Sequence, residues 1–237
     1  MRTYRQQYGT IGRSDMKVWV IGGTSGIGSA ISAECWHNGY QGISTGTEVD
    51  VRYPFRLKDI IDRNDGFDAI VYSAGINRLM HIKSTDMKQV EEIFKVNVFG
   101  FMNLLRVLEN SKTKTKTTSV LAISSDAATR PMRTSIAYCS SKAALDMAVR
   151  CAARELAPVR VNAISPGMTA GTAMTKYIDE TVPEMRGWTP QEALDYETSQ
   201  IPMKRRASPI EIAKIAVAVL TGPAYLTGAI IPVNGGR

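Results

Sequence analysis

The feature that most constrains the fold is a glycine-rich turn that lies directly between a predicted strand and a predicted helix. Lys17 to Ile21 is a short apolar run, which predicts a buried strand. The turn follows as Gly22-Gly-Thr-Ser-Gly26-Ile-Gly28, and Ser29 to His37 has the apolar spacing of a helix, which Asn38-Gly39 ends. Glycines allow a tight turn and a close approach to phosphate, which the helix N-terminus then attracts. The arrangement therefore favours a nucleotide-binding turn over a glycine turn that binds no ligand.

The rest of the chain alternates between predicted strands and predicted helices. The strands are expected at residues 17–21, 40–45, 48–51, 67–73, 118–124, 159–165 and 229–233. The helices are expected at residues 29–37, 57–64, 84–109 and 135–157, and from Ser208 onward. Such alternation predicts an α/β fold, Rossmann-like and doubly wound, with a seven-stranded, mainly parallel sheet covered by helices on both faces. Residues 16–237 are expected to form a single domain, in which residues 168–207 are a long insertion.

Charge and composition exclude several classes of protein. The net charge is +7, but residues 1–15, which look like a disordered appended tail, and the lysine run at residues 112–116 carry most of it. No aromatic residues interleave those lysines, so we expect no nucleic-acid partner, and binding through the basic tail is the weaker alternative. The longest apolar stretch, residues 212–220, is shorter than the ~20 residues of a membrane span.

The cysteine and histidine content argues against disulfide bonds and against a zinc site. Three cysteines and two histidines supply neither a disulfide framework nor a zinc site. No metal is expected, and the reducing cytoplasm is the expected location.

A tyrosine and a lysine with helical spacing are the candidate chemical groups. Tyr138 and Lys142 are four residues apart on a predicted helix, so their side chains share one face. A free tyrosine has a pKa of ~10, and a nearby ammonium group favours the phenolate and lowers that value. Ser125 lies at the C-terminal end of the predicted strand 118–124, directly after its last residue, and is placed to orient a substrate carbonyl beside the phenol. An ordinary pair on a helix surface is the alternative for Tyr138 and Lys142 taken alone.

Taken together, the motifs resemble the short-chain dehydrogenase/reductase family, in its short form with a Y-x-x-x-K active site. The motifs are the glycine turn, Ser73-Ala-Gly75, Asn97, Ser125, Tyr138, Lys142, Pro166-Gly167 and the segment Leu226 to Gly236. The resemblance covers residues 17–236. It implies an NAD(P)-dependent oxidoreductase that interconverts a ketone and a secondary alcohol, with the hydride carried by the cofactor.

The resemblance also implies a catalytic tetrad. Tyr138 would be the general acid in reduction and the general base in oxidation. Lys142 would lower the pKa of Tyr138 and hold the nicotinamide ribose. Ser125 would hydrogen-bond the substrate oxygen, and Asn97 would hold a water that links Lys142 to solvent.

The same resemblance assigns cofactor contacts along the chain. They are Gly22, Thr24, Ser25, Gly26, Ile27 and Gly28 at the pyrophosphate, Asp50 and Val51 at adenine, Ser73, Ala74 and Gly75 in the central cleft, Tyr138 and Lys142 at the nicotinamide ribose, and Pro166, Gly167, Met168, Thr169 and Thr172 at the nicotinamide. Thr172 comes one residue later than the family's threonine, which indicates one inserted residue.

The chain departs from the family pattern after the second predicted strand. Only residues 46–49 lie between Thr45 and Asp50, where the family has a whole helix, so one flank of the adenosine pocket is expected to be open. Coenzyme choice is decided in this region. Hydroxyls of Thr45 and Thr47 suit a 2′-phosphate and Arg52 is nearby, whereas Glu48 would repel it. The sequence slightly favours NADP over NAD.

The insertion at residues 168–207 is expected to form a lid over a small carbonyl or alcohol substrate with an apolar body. Its apolar residues fit equally well a small core of the lid's own or a subunit contact. The family commonly forms tetramers through two long helices, so a homo-oligomer, either a tetramer or a dimer, is expected through residues 84–109 and 135–157.

Two other functions remain open at this point. A 3-oxoacyl-carrier-protein reductase is the runner-up, because residues 201–236 are similar to those enzymes and Lys204-Arg205-Arg206 suits an acidic carrier protein. A non-catalytic dinucleotide-binding sensor or scaffold is the alternative from a different class, and the intact tetrad argues against it.

Overall fold

The computed structural model describes residues 15–113 and 116–237. The expected tail therefore lies outside the described residues except for Asp15, and so does Lys114 of the lysine run. The strands are β1 (Lys17–Ile21), β2 (Gln41–Thr45), β3 (Ala69–Tyr72), β4 (Ser119–Ile123), β5 (Arg160–Pro166) and β6 (Ile230–Val233). The helices are α1 (Gly26–His37), α2 (Pro54–Arg63), α3 (Met87–Phe94), α4 (Gly100–Glu109), α5 (Ile136–Glu155), α6 (Ala173–Arg186), α7 (Pro190–Ser199) and α8 (Pro209–Leu220).

The strands form one parallel sheet with the order β2-β1-β3-β4-β5-β6, which confirms the doubly wound α/β fold. The chain leaves β1 toward one edge of the sheet and returns to β3 on the other side of β1. A crevice opens where the strand order reverses, outside the carboxyl ends of the strands. None of the helices in the described ranges is long and apolar enough to cross a membrane.

The third predicted strand, at residues 48–51, is wrong, and the sheet described here has six strands instead of the seven expected. Residues 46–53 instead form two successive turns, in which Val49 N–H donates to Gly46 O and Tyr53 N–H donates to Asp50 O. Val49 and Val51 are still buried in the core, which explains the alternating pattern that suggested a strand. A parallel neighbour of β2 would need a crossover of about a dozen residues, and the chain has far fewer there.

Alternate residues of the strands build two separate cores. Trp19 and Ile21 of β1 face the core under α2, α4 and α5, whereas Val18 and Val20 face the core under α1 and α8. This two-residue period is the one that a strand buried on both faces requires. Both cores hold the sheet rigid beneath the carboxyl ends of β1, β3, β4 and β5.

The predicted long helix at residues 84–109 is present but is not regular. It consists of α3, a π-helical segment (Lys95–Phe99) and α4. A π segment inserts an extra residue into a turn and often marks a functional position. Asn97 lies in its middle and is fully buried.

The insertion at residues 168–207 contains two helices that the sequence analysis left unassigned, α6 and α7. Arg206 forms ion pairs with Asp179 of α6 and Glu197 of α7 at 2.6 and 2.7 Å, which ties the two helices to the segment before α8. The last helix begins with a capping box, in which Ser208 and Glu211 each accept a hydrogen bond from the other's backbone N–H.

Candidate active site

The glycine turn packs tightly between β1, β3 and α1. Gly22 has φ +74°, and a Cβ there would lie 2.7 Å from Ala74 N. A Cβ on Gly28 would lie 2.1 Å from Gly22 O, so α1 packs directly on the turn. Ser25 is the N-cap of α1, and its side chain makes no capping hydrogen bond. The first backbone N–H groups of α1 are therefore left to a ligand or to water.

Tyr138 and Lys142 lie on the buried face of α5, one turn apart. Both are at least nine-tenths buried, and Lys142 Nζ is 5.8 Å from the centroid of the Tyr138 ring. Lys142 Nζ donates to Ile123 O, at the end of β4, over 2.9 Å. Gly75 lies beside the ammonium group, because a Cβ at that position would be 3.4 Å from Nζ. The predicted shared face is thus confirmed, and the pair lies inside the molecule rather than on a helix surface.

Ser125 follows β4 and begins a 3-10 turn beside Tyr138. Its backbone is extended, and its Oγ accepts a hydrogen bond from Ala127 N–H over 3.2 Å. The side chain of Ser125 also interacts with the Tyr138 phenol, which lowers the pKa of that phenol. The two hydroxyls that the sequence predicted to meet a substrate oxygen are therefore neighbours.

Asn97 holds neighbouring elements in place. Its Oδ1 accepts from Ile76 N–H, and its Nδ2 donates to Ile76 O and to Ser141 Oγ, over 2.8, 3.0 and 2.9 Å. Ser141 Oγ in turn donates to Tyr138 O over 2.8 Å. The side chain of Asn97 thus fixes both the segment after β3 and the turn of α5 that carries Tyr138.

Burial governs the ionisation of the Tyr–Lys pair. It raises the pKa of Tyr138 to about 12, against the lowering effect of Ser125. It also lowers the pKa of Lys142 to about 8, while the charge of Asp146 raises that value. The pKa of Tyr138 thus moves opposite to the expectation from the sequence, because desolvation of the phenolate outweighs the neighbouring interactions. At neutral pH the pair is a neutral phenol beside an ammonium, which is the protonation state that a proton donor needs.

The sequence analysis did not identify Asp146, a buried carboxylate that follows Lys142 on α5. Asp146 is one turn further along α5 and accepts a hydrogen bond from Ser124 Oγ, the residue before Ser125. Burial raises the pKa of Asp146, and Ser124, Arg150 and Lys142 oppose that rise. The spacing of Lys142 and Asp146, again four residues on one helix face, was the signal that could have revealed it.

The segment after β5 borders the same crevice. Thr169 Oγ1 donates to Gly167 O over 3.2 Å, and Thr169 O accepts from Thr175 Oγ1. Thr172 caps α6, because its Oγ1 accepts from Thr175 N–H over 3.0 Å. A Cβ on Gly26 would lie 3.5 Å from Thr172 Cβ, so the first turn of the insertion rests against the glycine turn.

One cavity of about 650 Å³ connects these groups. The predicted residues that line it are Gly22, Ser25, Gly26, Ile27, Gly28, Ser73, Gly75, Ser125, Tyr138, Lys142, Pro166, Gly167, Met168, Thr169 and Thr172. The wall of the insertion is lined by Met174, Ile178, Val182, Trp188, Leu194 and Tyr196. The cavity therefore runs from the glycine turn, past the Tyr–Lys pair, to an apolar wall.

Five predicted site residues do not line this cavity: Thr24, Asp50, Val51, Ala74 and Asn97. Val51 is a core residue, and Ala74 packs partly against the same core. Hydrogen bonds from Arg52 hold the pKa of Asp50 below its usual range, and Arg52 is paired with Glu92 as well over 2.5 Å. The structure thus brings Ser125, Tyr138, Lys142 and the nicotinamide-side predictions into one cavity, but leaves outside it Asn97 of the predicted tetrad, Thr24, Ala74 and both residues predicted at adenine.

The residues around the turn fit a dinucleotide. Glycine backbone lies where side chains would collide, the N-terminus of α1 has no side-chain cap, and the turn opens into the cavity. These are the features by which a helix N-terminus holds a pyrophosphate.

Comparison with known proteins agrees with this geometry. The family model described as enoyl-(acyl carrier protein) reductase matches residues 43–237. The vibriobactin-specific 2,3-dihydro-2,3-dihydroxybenzoate dehydrogenase of Vibrio cholerae is 34% identical over 182 residues, which span 72% of this chain and 66%, just under two thirds, of that relative. The 3-oxoacyl-[acyl-carrier-protein] reductase of Aquifex aeolicus is 30% identical over 224 residues, 92% of this chain and 86% of that relative.

Solved structures share the fold. A short chain dehydrogenase family protein from Francisella tularensis superposes with a TM-score of 0.80 at 24% identity. The superposition covers 94% of this chain and 98% of that one.

Proposed function

The chain belongs to the short-chain dehydrogenase/reductase family and is an oxidoreductase of the class that acts on CH–OH groups, and from that premise we propose that it interconverts a ketone and a secondary alcohol. A nicotinamide dinucleotide is the cofactor. One observation carries the proposal: a single cavity joins the glycine turn to Ser125, Tyr138 and Lys142.

In the proposed reaction the glycine turn and the residues around Lys142 would hold a nicotinamide dinucleotide, which would supply the hydride chemistry, while the protein's own side chains position the substrate and move the proton. Ser125 Oγ and the Tyr138 hydroxyl hold the carbonyl oxygen, and Tyr138 gives that oxygen its proton in reduction. Lys142 stabilises the phenolate that results, because its ammonium group lies one turn away and both side chains are buried, where charge interactions are stronger than in water. In oxidation the phenolate is the base.

Asn97 is proposed to act through position rather than through contact with the substrate. Its three hydrogen bonds join the segment after β3 to the turn of α5 that carries Tyr138. The water that the sequence analysis assigned to Asn97 remains part of the proposal.

The test is a fluorescence titration of the protein with NADH and with NADPH, followed by a panel of ketones and alcohols with the tighter cofactor. We expect saturable binding and hydride transfer to at least one class of ketone. Binding without transfer across a broad panel would favour the non-catalytic sensor, and absence of binding would refute the proposal.

The coenzyme proposed from the structure is NAD, which reverses the slight preference for NADP in the sequence. Arg52 is occupied by Asp50 and Glu92, so it is not free to meet a 2′-phosphate. Thr45 is buried, and its Oγ1 accepts from Trp19 Nε1 over 3.0 Å. Glu48 is held at the end of β2, where its Oε1 accepts from Gly46 N–H over 2.6 Å. A carboxylate at that strand end favours a ribose diol and repels a phosphate.

A carrier-protein reductase is the second candidate, and it rests on the relationship to the Aquifex enzyme. The basic segment assigned to the acidic carrier is less available than its sequence suggests. Arg205 is paired with Glu211 and Arg206 with Asp179 and Glu197, while Lys204 Nζ donates to Ser199 O. Turnover of an acetoacetyl thioester far faster than of simple ketones would favour this candidate, and no turnover of the thioester would remove it.

A homo-oligomer and a cytoplasmic location remain predictions. Exposed apolar side chains on and beside the two long helices support the oligomer: Phe99, Met102, Ile136 and Met147. Light scattering after size-exclusion chromatography distinguishes the expected tetramer or dimer from a monomer.

A further inference from the structure

Three buried side-chain atoms in residues 15–113 and 116–237 have no hydrogen-bond partner: Asn77 Oδ1, Asp126 Oδ2 and Arg237 Nε. All three residues line the cavity that contains Ser125 and Tyr138. An unpartnered buried polar atom costs ~1–3 kcal/mol, and native proteins keep few of them. Their concentration in one cavity indicates that a polar ligand completes their hydrogen bonds.

Asp126 and Arg237 form an ion pair whose charged groups do not hydrogen-bond to each other. Arg237 Nη1 is 3.6 Å from Asp126 Oδ2, which is too long for a hydrogen bond, although Asp126 is only 4% exposed. Burial raises the pKa of Asp126, as expected for an anion whose charge is incompletely compensated. By comparison, the ion pair between Arg206 and Glu197, which line the same cavity, has an N–O distance of 2.7 Å and is hydrogen-bonded.

We propose that Asp126 and Arg237 form a specificity subsite that binds a hydroxyl group on the substrate carbon next to the reacting carbon. A hydroxyl both donates and accepts, so one such group can donate to Oδ2 and accept from the Arg237 guanidinium. A carbonyl or ether oxygen cannot donate to Oδ2, an ammonium cannot accept from Arg237, and a carboxylate would be repelled by Asp126. The hydroxyl therefore fits both unpartnered groups.

The subsite lies beside the reacting position. Asp126 is close enough to Tyr138 for its charge to raise the pKa of the phenol, and both residues line the same cavity. A substrate whose reacting oxygen lies at Ser125 and Tyr138 can therefore present a hydroxyl on the neighbouring carbon to Asp126. The inference rests on the proposed function and narrows its substrate class to α-hydroxy ketones and vicinal diols.

The test compares two ketones that differ by a single hydroxyl, 2-hydroxycyclohexanone and cyclohexanone, with wild type and with Asp126→Asn. We expect Asp126→Asn to lower kcat/KM for the hydroxy ketone about tenfold or more, mainly through KM, and to change that for cyclohexanone less than about twofold. The intrinsic reactivities of the two ketones cancel when the variants are compared. Asp195→Asn, the same change at an exposed position on α7 outside the cavity, is the matched control and should leave both values unchanged.

Because Asp126→Asn leaves Arg237 buried beside a neutral partner, the variant Asp126→Asn/Arg237→Gln is measured in parallel. It removes both charges and should lose the same preference. An active enzyme whose preference for the hydroxy ketone survives in both variants would overturn the subsite.

A binding measurement tests the subsite independently of whether the protein catalyses the proposed reaction. The holo protein is titrated with cyclohexane-1,2-diol and with cyclohexanol, and the fluorescence of the bound nicotinamide is followed. Tighter binding of the diol that Asp126→Asn weakens, in a protein that transfers no hydride across the broad panel of ketones and alcohols, would support the subsite and refute the proposed function. Equal binding of the two alcohols, or no binding, would overturn the subsite whatever the turnover.

Discussion

The carboxyl ends of β4 and β5 and the loop that follows β2 lie at the same edge of the sheet but are built differently. Around β4, buried polar groups meet one partner after another: Asn97 with Ser141, Asp146 with Ser124, and Lys142 with a backbone carbonyl. After β2, the loop is held by exposed charges and by hydrogen bonds to its own backbone.

The two regions differ in how much free energy is lost when one contact is removed. Breaking a buried hydrogen bond leaves a desolvated group and costs ~1–3 kcal/mol, whereas an exposed ion pair contributes ~0–1 kcal/mol. Changes near β4 should therefore abolish chemistry or stability, and changes after β2 should only adjust which cofactor binds. The following experiments test that contrast.

The largest effect is expected from Tyr138→Phe. The variant keeps the buried ring and removes the proton, so kcat should fall by about 10²–10⁴-fold while the affinity for the cofactor stays nearly constant. Steady-state kinetics and cofactor titration measure the two quantities. The matched control is Tyr225→Phe at a fully exposed position, which should leave both unchanged. Loss of cofactor binding in Tyr138→Phe would contradict the assigned role.

Asn97→Ala should be the most destabilising of these changes. It removes three hydrogen bonds and leaves the N–H and C=O of Ile76 without their partners, so the free energy of unfolding should fall by about 2–4 kcal/mol. Denaturation by urea measures the loss. Asn110→Ala, where the exposed amide donates only to Arg106 O, is the control and should cost less than about 1 kcal/mol. Similar losses at the two positions would erase the contrast between buried and exposed groups.

A smaller effect, on pH dependence, is expected from Asp146→Asn. The carboxylate raises the pKa of Lys142, which burial lowers to about 8, so removing its charge should lower that pKa further. Lys142 then loses its proton at lower pH, and the alkaline limb of kcat/KM for reduction should move down by about one pH unit. The pH profiles of wild type, Asp146→Asn and Asp59→Asn, a half-exposed control on α2 that lies outside the cavity, provide the measurement. An unchanged limb would mean that another group sets it.

The same contrast explains which features the sequence could predict. The glycine turn, Ser125, Tyr138 and Lys142 have fixed spacings along short segments, and the structure brings them into one cavity. Asp126 was missed because its partner, Arg237, is distant in sequence and becomes its neighbour only in the folded chain. No local pattern marks such a pair.

The false strand at residues 48–51 has a different cause. Valines buried from a turn and valines buried from a strand give the same alternation, so hydrophobicity alone cannot separate them. The short distance to β2 was the informative signal, because it leaves no room for a crossover.

The smallest effect, and the most direct test of the loop after β2, is expected from Glu48→Gln. Removing the charge should improve the affinity for NADPH relative to NADH by about three- to tenfold, since one exposed charge near a phosphate contributes about 1 kcal/mol. Dissociation constants from fluorescence titration give the ratio, with kcat for the preferred cofactor nearly constant. Glu155→Gln, at the exposed end of α5, is the control. If the ratio of the two dissociation constants does not change, Glu48 does not face the ribose, and the loop after β2 has no part in selecting the cofactor. If kcat collapses, the loop after β2 is coupled to the buried groups around β4, and the contrast drawn between these two regions is wrong.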